Sequence, residues 1–300
     1  MTQALTLEQV TKTFGTVRAV DGLSISVPQG AIYGFLGPNG AGKTTTIRMI
    51  MSILYPDSGE VTVLGNPVPE AVKDRLGYLP EEKGLYKKMR AAELVAYFGQ
   101  LKGMSRHDAL RRSRDLLEGF GLAEWSDRRC EALSKGMGQK VQILATLIHE
   151  PELVILDEPF GGLDPMNVEV VRDLIVDLKR RGRTVIFSTH VMEQAEQICD
   201  FIVLINRGKA VLNGSLAAVK AGGPQSVIID YDGDGSPLRE LPGLTRLNDA
   251  GKRAELVLEP GTDAQALLAR LVGRLTIRRF DTREPSLHEV FVRAVGRVDA

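Results

Sequence analysis

The segment Gly37-Pro38-Asn39-Gly40-Ala41-Gly42-Lys43-Thr44-Thr45 fits the pattern G-x-x-x-x-G-K-T. A glycine-rich turn of this kind points backbone N–H groups inward, and the positive end of the following helix adds to the field, so the chemistry implied is a grip on phosphate. Gly37, Gly40 and Gly42 let the backbone come close to phosphate, Lys43 would reach its outer groups, and the Thr44 hydroxyl would bind Mg²⁺. A second stretch, Leu153 to Leu156, has the length and aliphatic composition of a buried parallel strand and delivers Asp157 and Glu158 at its end. Adjacent side chains on a strand point opposite ways. Asp157 is therefore expected to hold the Mg²⁺ shell while Glu158 faces a water aligned on the terminal phosphorus, as a general base or orienting group.

These residues need a scaffold, and the surrounding pattern supplies one. Ala31 to Leu36 reads as a short buried strand before the glycine turn, and Thr45 to Met51 as a helix after it. Residues 4–30 and 61–64 read as alternating strands, most clearly Leu23-Ser24-Ile25-Ser26-Val27, forming a small antiparallel layer. The interval between Lys43 and Asp157 is too long for one strand-helix-strand unit, so it must hold an inserted subdomain, about residues 84–140. Leu94, Tyr97, Phe98 and Leu101 follow helical spacing there, and Ser105 to Gly119 forms a further helix with Ser105 and Asp108 at its start. Arg111, Arg112 and Arg114 read as its solvated face. His190 ends a strand from Thr184 to Ser188, where the tips of parallel strands carry ligand contacts. Asn206-Arg207-Gly208-Lys209 reads as a hairpin turn, and Ala221-Gly222-Gly223-Pro224 as a boundary. Beyond it come strands at Ser226 to Tyr231, Ala254 to Leu258 and Leu275 to Phe280, a helix with Leu267, Leu268 and Leu271, and a final helix opened by Ser286 and Glu289.

With Leu133-Ser134-Lys135-Gly136-Met137 lying between the two phosphate-site stretches, the chain resembles the nucleotide-binding subunit of an ATP-binding-cassette (ABC) transporter over about residues 4–215. That resemblance implies an α/β fold: a P-loop NTPase (RecA-like) core with an antiparallel β layer and an inserted helical subdomain, followed by a small C-terminal α/β domain. The domains expected are residues 1–220 and 221–300. It implies ATP and Mg²⁺ as cofactors, with Phe14 stacking on adenine and residues 37–45 on the phosphates. Thr44, Asp157 and Glu81 would serve the metal, and Glu158, His190 and Glu81 the hydrolysis. Ser134, Gly136 and Asp164 would meet the ATP held by a second copy or a paralogue, because in this family one protomer's signature closes over the other's nucleotide. A separate transmembrane permease is implied as partner, with the coupling surface near the helical insert and Glu81. Glu284-Pro285-Ser286-Leu287-His288-Glu289-Val290-Phe291 resembles the accessory domain that follows cassettes of exporter-type systems for drugs, sodium or other small solutes. Four positions depart from the family: Glu81 for Gln, Lys135 for Gly, Met137 for Gln and Gly161 for Ser.

Composition narrows the class further. Lys+Arg and Asp+Glu are equal at 38 each, so no basic excess points to nucleic acid. Cys130 and Cys199, the two cysteines of the 300-residue chain, have no metal-ligand spacing and read as packing residues of a reducing compartment. No run approaches the roughly 20 apolar residues that span a bilayer. The expected place is the cytoplasm, on the cytoplasmic face of the membrane. Two rival readings stand beside the main one: a soluble cassette acting on ribosomes or nucleic acid, and a regulatory module with weak hydrolysis.

Glu81 adds negative charge near the metal and Lys135 adds positive charge near the opposed terminal phosphate, so the two departures are expected to offset each other across a closed dimer. ATP-dependent dimerisation of Glu81→Gln, Lys135→Gly and the double variant checks this. The double variant should recover more than the sum of the single effects, and strict additivity contradicts the offset.

Overall fold

Leu5, Leu7 and Val10, and facing them Val20, Leu23, Ile25 and Val27, alternate with exposed or half-exposed residues and put one apolar face on the core. The computed structural model describes residues 2–82, 84, 86–259 and 261–298. Backbone contacts divide the chain into two units, Met1–Gly214 and Ser215–Ala300.

In the first unit, β1 (Gln3–Phe14) pairs antiparallel with β2 (Val17–Pro28). β3 (Ile32–Leu36) is wholly buried and runs through the glycine-rich loop into α1 (Lys43–Ile50). β4 (Ser58–Val63) returns to the other edge of β1, giving the order β2-β1-β4. The larger sheet begins at β5 (Leu76–Leu79), after which the chain leaves for three helices: α2 (Ala91–Leu101), α3 (Arg106–Gly119) and α4 (Lys135–Leu147). It returns as β6 (Leu153–Leu156), then α5 (Pro165–Arg180), β7 (Thr184–Thr189), α6 (Met192–Ile198), β8 (Phe201–Asn206) and β9 (Lys209–Ser215). The sheet order is β5-β6-β7-β3-β8-β9. Arg207 and Gly208, both at positive φ, make the two-residue turn from β8 to β9.

Register decides where chemistry can be placed. Leu36 pairs with Thr189, Leu79 with Leu156 and Leu156 with Phe187, all in parallel ladders. The residues that follow β3, β5, β6 and β7 therefore leave one edge of the sheet together, the edge where ligands bind in open parallel sheets.

The insert is helical as expected, but its buried face differs from the spacing read in the sequence. Leu94 is buried, whereas Tyr97 and Phe98 are each 37% exposed and Leu101 is 60% exposed. α2 turns inward the smaller residues Ala91, Ala92, Val95, Ala96 and Gly99. Small side chains let α3 and α4 approach closely; a Cβ at Gly99 would lie 2.9 Å from Met104 Sδ and 3.1 Å from Ile148 Cδ1. Size of the apolar side chain is thus a poor guide to the inward face here. The Ser105 hydroxyl caps α3 by accepting from the Asp108 N–H, and the three arginines pair with Asp108, Glu150 and Asp127. Cys130 and Cys199 are buried free thiols, and Cys199 packs where a Cβ on Gly34 would lie 2.8 Å from its Sγ.

The second unit opens with α7 (Leu216–Ala221) and β10 (Ser226–Asp232), followed by α8 (Ser236–Arg239), β11 (Leu244–Asp249) and β12 (Arg253–Leu258). α9 (Ala264–Leu271), β13 (Thr276–Arg283) and α10 (Leu287–Val298) complete it. Its four strands form an antiparallel sheet in the order β11-β12-β10-β13, and Leu267 and Leu271 of α9 join its apolar core. Among the described residues no helix is long and apolar enough to cross a membrane.

The buried face of α2 is testable by truncation. Leu94→Ala should cost about 2–5 kcal/mol of unfolding free energy, and Leu101→Ala about 0.5 kcal/mol or less. Equal losses in denaturant titrations would contradict the assignment.

Candidate functional site

The glycine-rich loop is shaped by close packing as well as by its need to meet a ligand. Gly37, Gly40 and Gly42 all have φ in the left-handed region, at 147°, 78° and 108°. A Cβ on Gly37 would lie 2.1 Å from the Ile205 carbonyl oxygen and one on Gly42 2.4 Å from that of Ala19, whereas Gly40 faces open space. Gly208 of the β8–β9 turn donates to the Ala41 carbonyl at 2.9 Å and braces the loop from behind. Gly42 is the N-cap of α1 and offers no side chain, so its first-turn N–H groups have no side-chain cap. An anion suits that position.

Lys43 is 6% exposed and folds back over its own loop, donating to the Gly37 carbonyl at 2.8 Å and the Pro38 carbonyl at 3.1 Å. Its ammonium is 3.7 Å from Glu158 Oε1. Burial pulls its pKa below the ordinary lysine value, while Glu158, Asp157 and Glu81 hold it up. The Thr44 hydroxyl stands 3.3 Å from Glu81 Oε2 and 3.3 Å from Asp157 Oδ1, and its single proton can serve only one of them.

Asp157 is wholly buried. Its N–H donates to the Leu79 carbonyl at 2.8 Å, and its Oδ1 accepts from the Ser188 hydroxyl. Its Oδ2 is buried and has no hydrogen-bond partner. Burial first, then Glu81 and Glu158, push the carboxyl above the usual aspartate range against the hydrogen bonds from Ser188 and Thr44. An orphan carboxylate oxygen beside a hydroxyl fits a hard cation that takes oxygen ligands. Among the described residues no group of three or more His, Cys, Asp or Glu side chains could hold a metal ion alone.

Glu158 reaches its place differently from the alternation expected of a strand. β6 ends at Leu156, and Glu158 has φ 50°, so a left-handed turn directs its side chain. Its N–H donates to Ser188 Oγ at 2.9 Å, and its carboxylate oxygens lie 3.1 and 3.2 Å from His190 Nδ1. Ser188 thus bridges Asp157 and Glu158, a role the sequence does not announce because Ser188 reads only as the end of the strand before His190.

Gly37 and Pro38 are bonded to Lys43, Asp157 to Thr44 and His190 to Glu158, and the other expected residues fall into two groups. Asn39 to Thr45, with Ala19, Glu81 and Glu158, line one cleft. Phe14, Ser134, Gly136 and Asp164 do not line it. Phe14 ends β1 at 47% exposure, with the Lys12 ammonium 5.8 Å from its ring centroid, so it is no core residue. Ser134 is the N-cap of α4, accepting from the Met137 N–H at 3.3 Å. Asp164 caps α5 by accepting from the Asn167 N–H at 3.0 Å.

A phosphate loop, a buried Asp157 beside a half-buried Glu158, and a histidine share one sheet edge, and a serine-capped helix start lies elsewhere. A model of the ABC transporter family matches residues 20–161, and one for the C-terminal domain of DrrA1-3-like ATP-binding proteins matches residues 214–295. The ABC transporter ATP-binding protein YhaQ of Bacillus subtilis is 40% identical over 98% of this chain and 99% of its own length. The chain belongs to the ABC transporter family. It is an ATP-binding, ATP-hydrolysing subunit with the P-loop NTPase fold. The Nod factor export ATP-binding protein I of Burkholderia lata is 34% identical over 96% of this chain and 95% of its own. A solved structure of the ATP-binding subunit of an ABC transporter is 30% identical, with TM-score 0.66, covering 72% of this chain and 92% of that one.

The unpartnered oxygen of Asp157 predicts a trade of stability for function. Asp157→Asn should stabilise the nucleotide-free chain by about 1 kcal/mol or more while depressing turnover. A raised carboxyl pKa favours the fold when protonated, and that contribution is lost as pH rises through the folded value. The variant's advantage in thermal unfolding should therefore vanish in acid and grow towards neutral pH. A variant less stable than wild type at pH 7 contradicts this.

Proposed function

We propose that two copies of this chain, or this chain and a paralogue, close around two Mg·ATP and drive a separate membrane permease in the direction of export. The observation that carries the reading is the division of the site: one cleft gathers the phosphate loop, Glu81 and Glu158, with Asp157 and His190 bonded to its lining, while Ser134 and Gly136 lie on a helix start outside it. A helix start capped by Ser134 with a glycine two residues on can approach a phosphate from a second molecule. Asp164, at the start of α5, belongs to the same facing surface.

Within the cleft, Thr44 and Asp157 would hold Mg²⁺, with Glu81 next to them, and the cation's contribution is to neutralise charge on the outer phosphates. Lys43 would leave its own loop carbonyls for phosphate oxygens. Glu158 would take the proton of the attacking water, and His190 would keep that carboxylate aimed. Phe14 would stack on the adenine.

The permease would dock on the helical insert. Tyr97 meets Tyr86 and Phe98 edge to face, and together with Leu101 the three leave an exposed apolar surface. A shallow cleft beside it, lined by Pro80, Glu82, Leu94, Phe98 and Gln142, adjoins the Glu81 loop. Movement there would reach Glu81 directly. In that role the chain would work on the cytoplasmic face of the membrane. Export is supported by the Burkholderia lata relative's name and by the DrrA-like second domain, which we read as a dimer-bracing or regulatory module beginning near residues 215–221.

Glu158→Gln tests the catalytic assignment. Turnover should fall at least about 100-fold, roughly the ~3 kcal/mol expected for loss of a general base, with ATP affinity kept and the dimer accumulating in ATP. Turnover within twofold of wild type contradicts it.

A further inference from the structure

Three contacts join the first turns of α4 to Pro159, Gly162 and the first turn of α5. Gln139, 2% exposed, donates from Nε2 to the Pro159 carbonyl. The Lys135 ammonium lies against Gly162, where a Cβ would come within 2.2 Å of Nζ. Gly136 faces Asn167, where a Cβ would lie 2.6 Å from Nδ2, and Asp164 holds that amide in turn.

The Lys135 and Gly136 contacts can be understood as packing. The Gln139 bond cannot be so reduced, because it keeps a polar amide in the interior with Oε1 lacking any partner. A buried, unpaired acceptor destabilises, and an apolar side chain of equal length would avoid it. What the amide holds is the carbonyl that directly follows Glu158, whose φ of 50° is rare for a residue with a side chain. The aim of that carboxylate depends on how the turn is anchored on both sides. Ser188 anchors it at the Glu158 N–H, and Gln139 anchors it at the Pro159 carbonyl.

We infer that Gln139 is a positioning residue: it ties the Glu158-Pro159 turn to the helix that begins at Ser134, so that seating this helix start on a partner-bound triphosphate is felt at the chain's own Glu158. The inference rests on the reading that Ser134 and Gly136 act on the partner's nucleotide. Gln139 itself touches no substrate, and its effect passes through the Pro159 backbone.

The test uses the full chain and three readouts: thermal midpoint, kcat and KM for ATP, and the shape of the ATP dependence. Gln139→Met removes both the donor and the orphan acceptor, while Gln139→Glu keeps the shape and removes the donor. Gln139→Met should match or exceed the wild-type midpoint, keep KM within twofold, lower kcat about tenfold, and turn a sigmoid ATP dependence hyperbolic. Gln139→Glu should show the same loss of kcat. A kcat within twofold of wild type in both folded variants overturns the inference alone, as does a kcat loss that merely follows a fall in midpoint. A wild type that turns over ATP as a monomer with hyperbolic dependence overturns the reading beneath it.

Discussion

In the phosphate cleft one buried ammonium, Lys43, faces three carboxylates, those of Glu158, Asp157 and Glu81. Burial makes the charges of Lys43 and Asp157 expensive, while Glu158 is half-buried and Glu81 exposed. The protein satisfies the ammonium with two loop carbonyls and part of the Asp157 carboxylate with Ser188, but leaves Asp157 Oδ2 with no partner. Such an arrangement is out of balance until further positive charge and a phosphate chain enter, which is how a site gains affinity for Mg·ATP at the cost of its own resting stability.

The fold answers the demand of holding those charges in register. Parallel ladders among β3, β5, β6 and β7, the last two and β3 wholly buried, fix four chain exits along one sheet edge, and a turn glycine at 208 stiffens the loop from behind. The helical insert does a different job. It leaves the sheet after β5, carries an exposed aromatic surface, and returns through α4, whose first turns touch the Glu158 segment by way of Gln139. On the proposed reading, the surface offered to the permease and the Glu158 turn are linked through α4.

Local chemistry was the most legible part of the sequence. The G-x-x-x-x-G-K-T segment and the aliphatic run ending in Asp157 and Glu158 announce themselves because phosphate and metal tolerate few residue types. Longer-range geometry was less so. β5 was hidden because Leu76 to Leu79 is only a four-residue strand, and β11 because Leu244 to Asp249 is a half-exposed edge with weak alternation. The inward face of α2 was misread because Tyr97, Phe98 and Leu101 are larger than the alanines that pack, and close helix approach rewards smallness. The Glu158 turn was invisible for another reason: nothing in Asp-Glu-Pro fixes a positive φ, which arises from tertiary bonds to Ser188 and Gln139.

The central claim is that the site is completed by a second molecule, and mixing two dead forms tests it most directly. Lys43→Ala cannot grip nucleotide but keeps its helix start, and Ser134→Phe blocks the helix start but keeps its phosphate loop. If each chain serves the other's nucleotide, the mixture regains ATP turnover that neither form has alone, because mixed pairs hold one intact site. Turnover that never rises above the sum of the two separate forms would contradict the account.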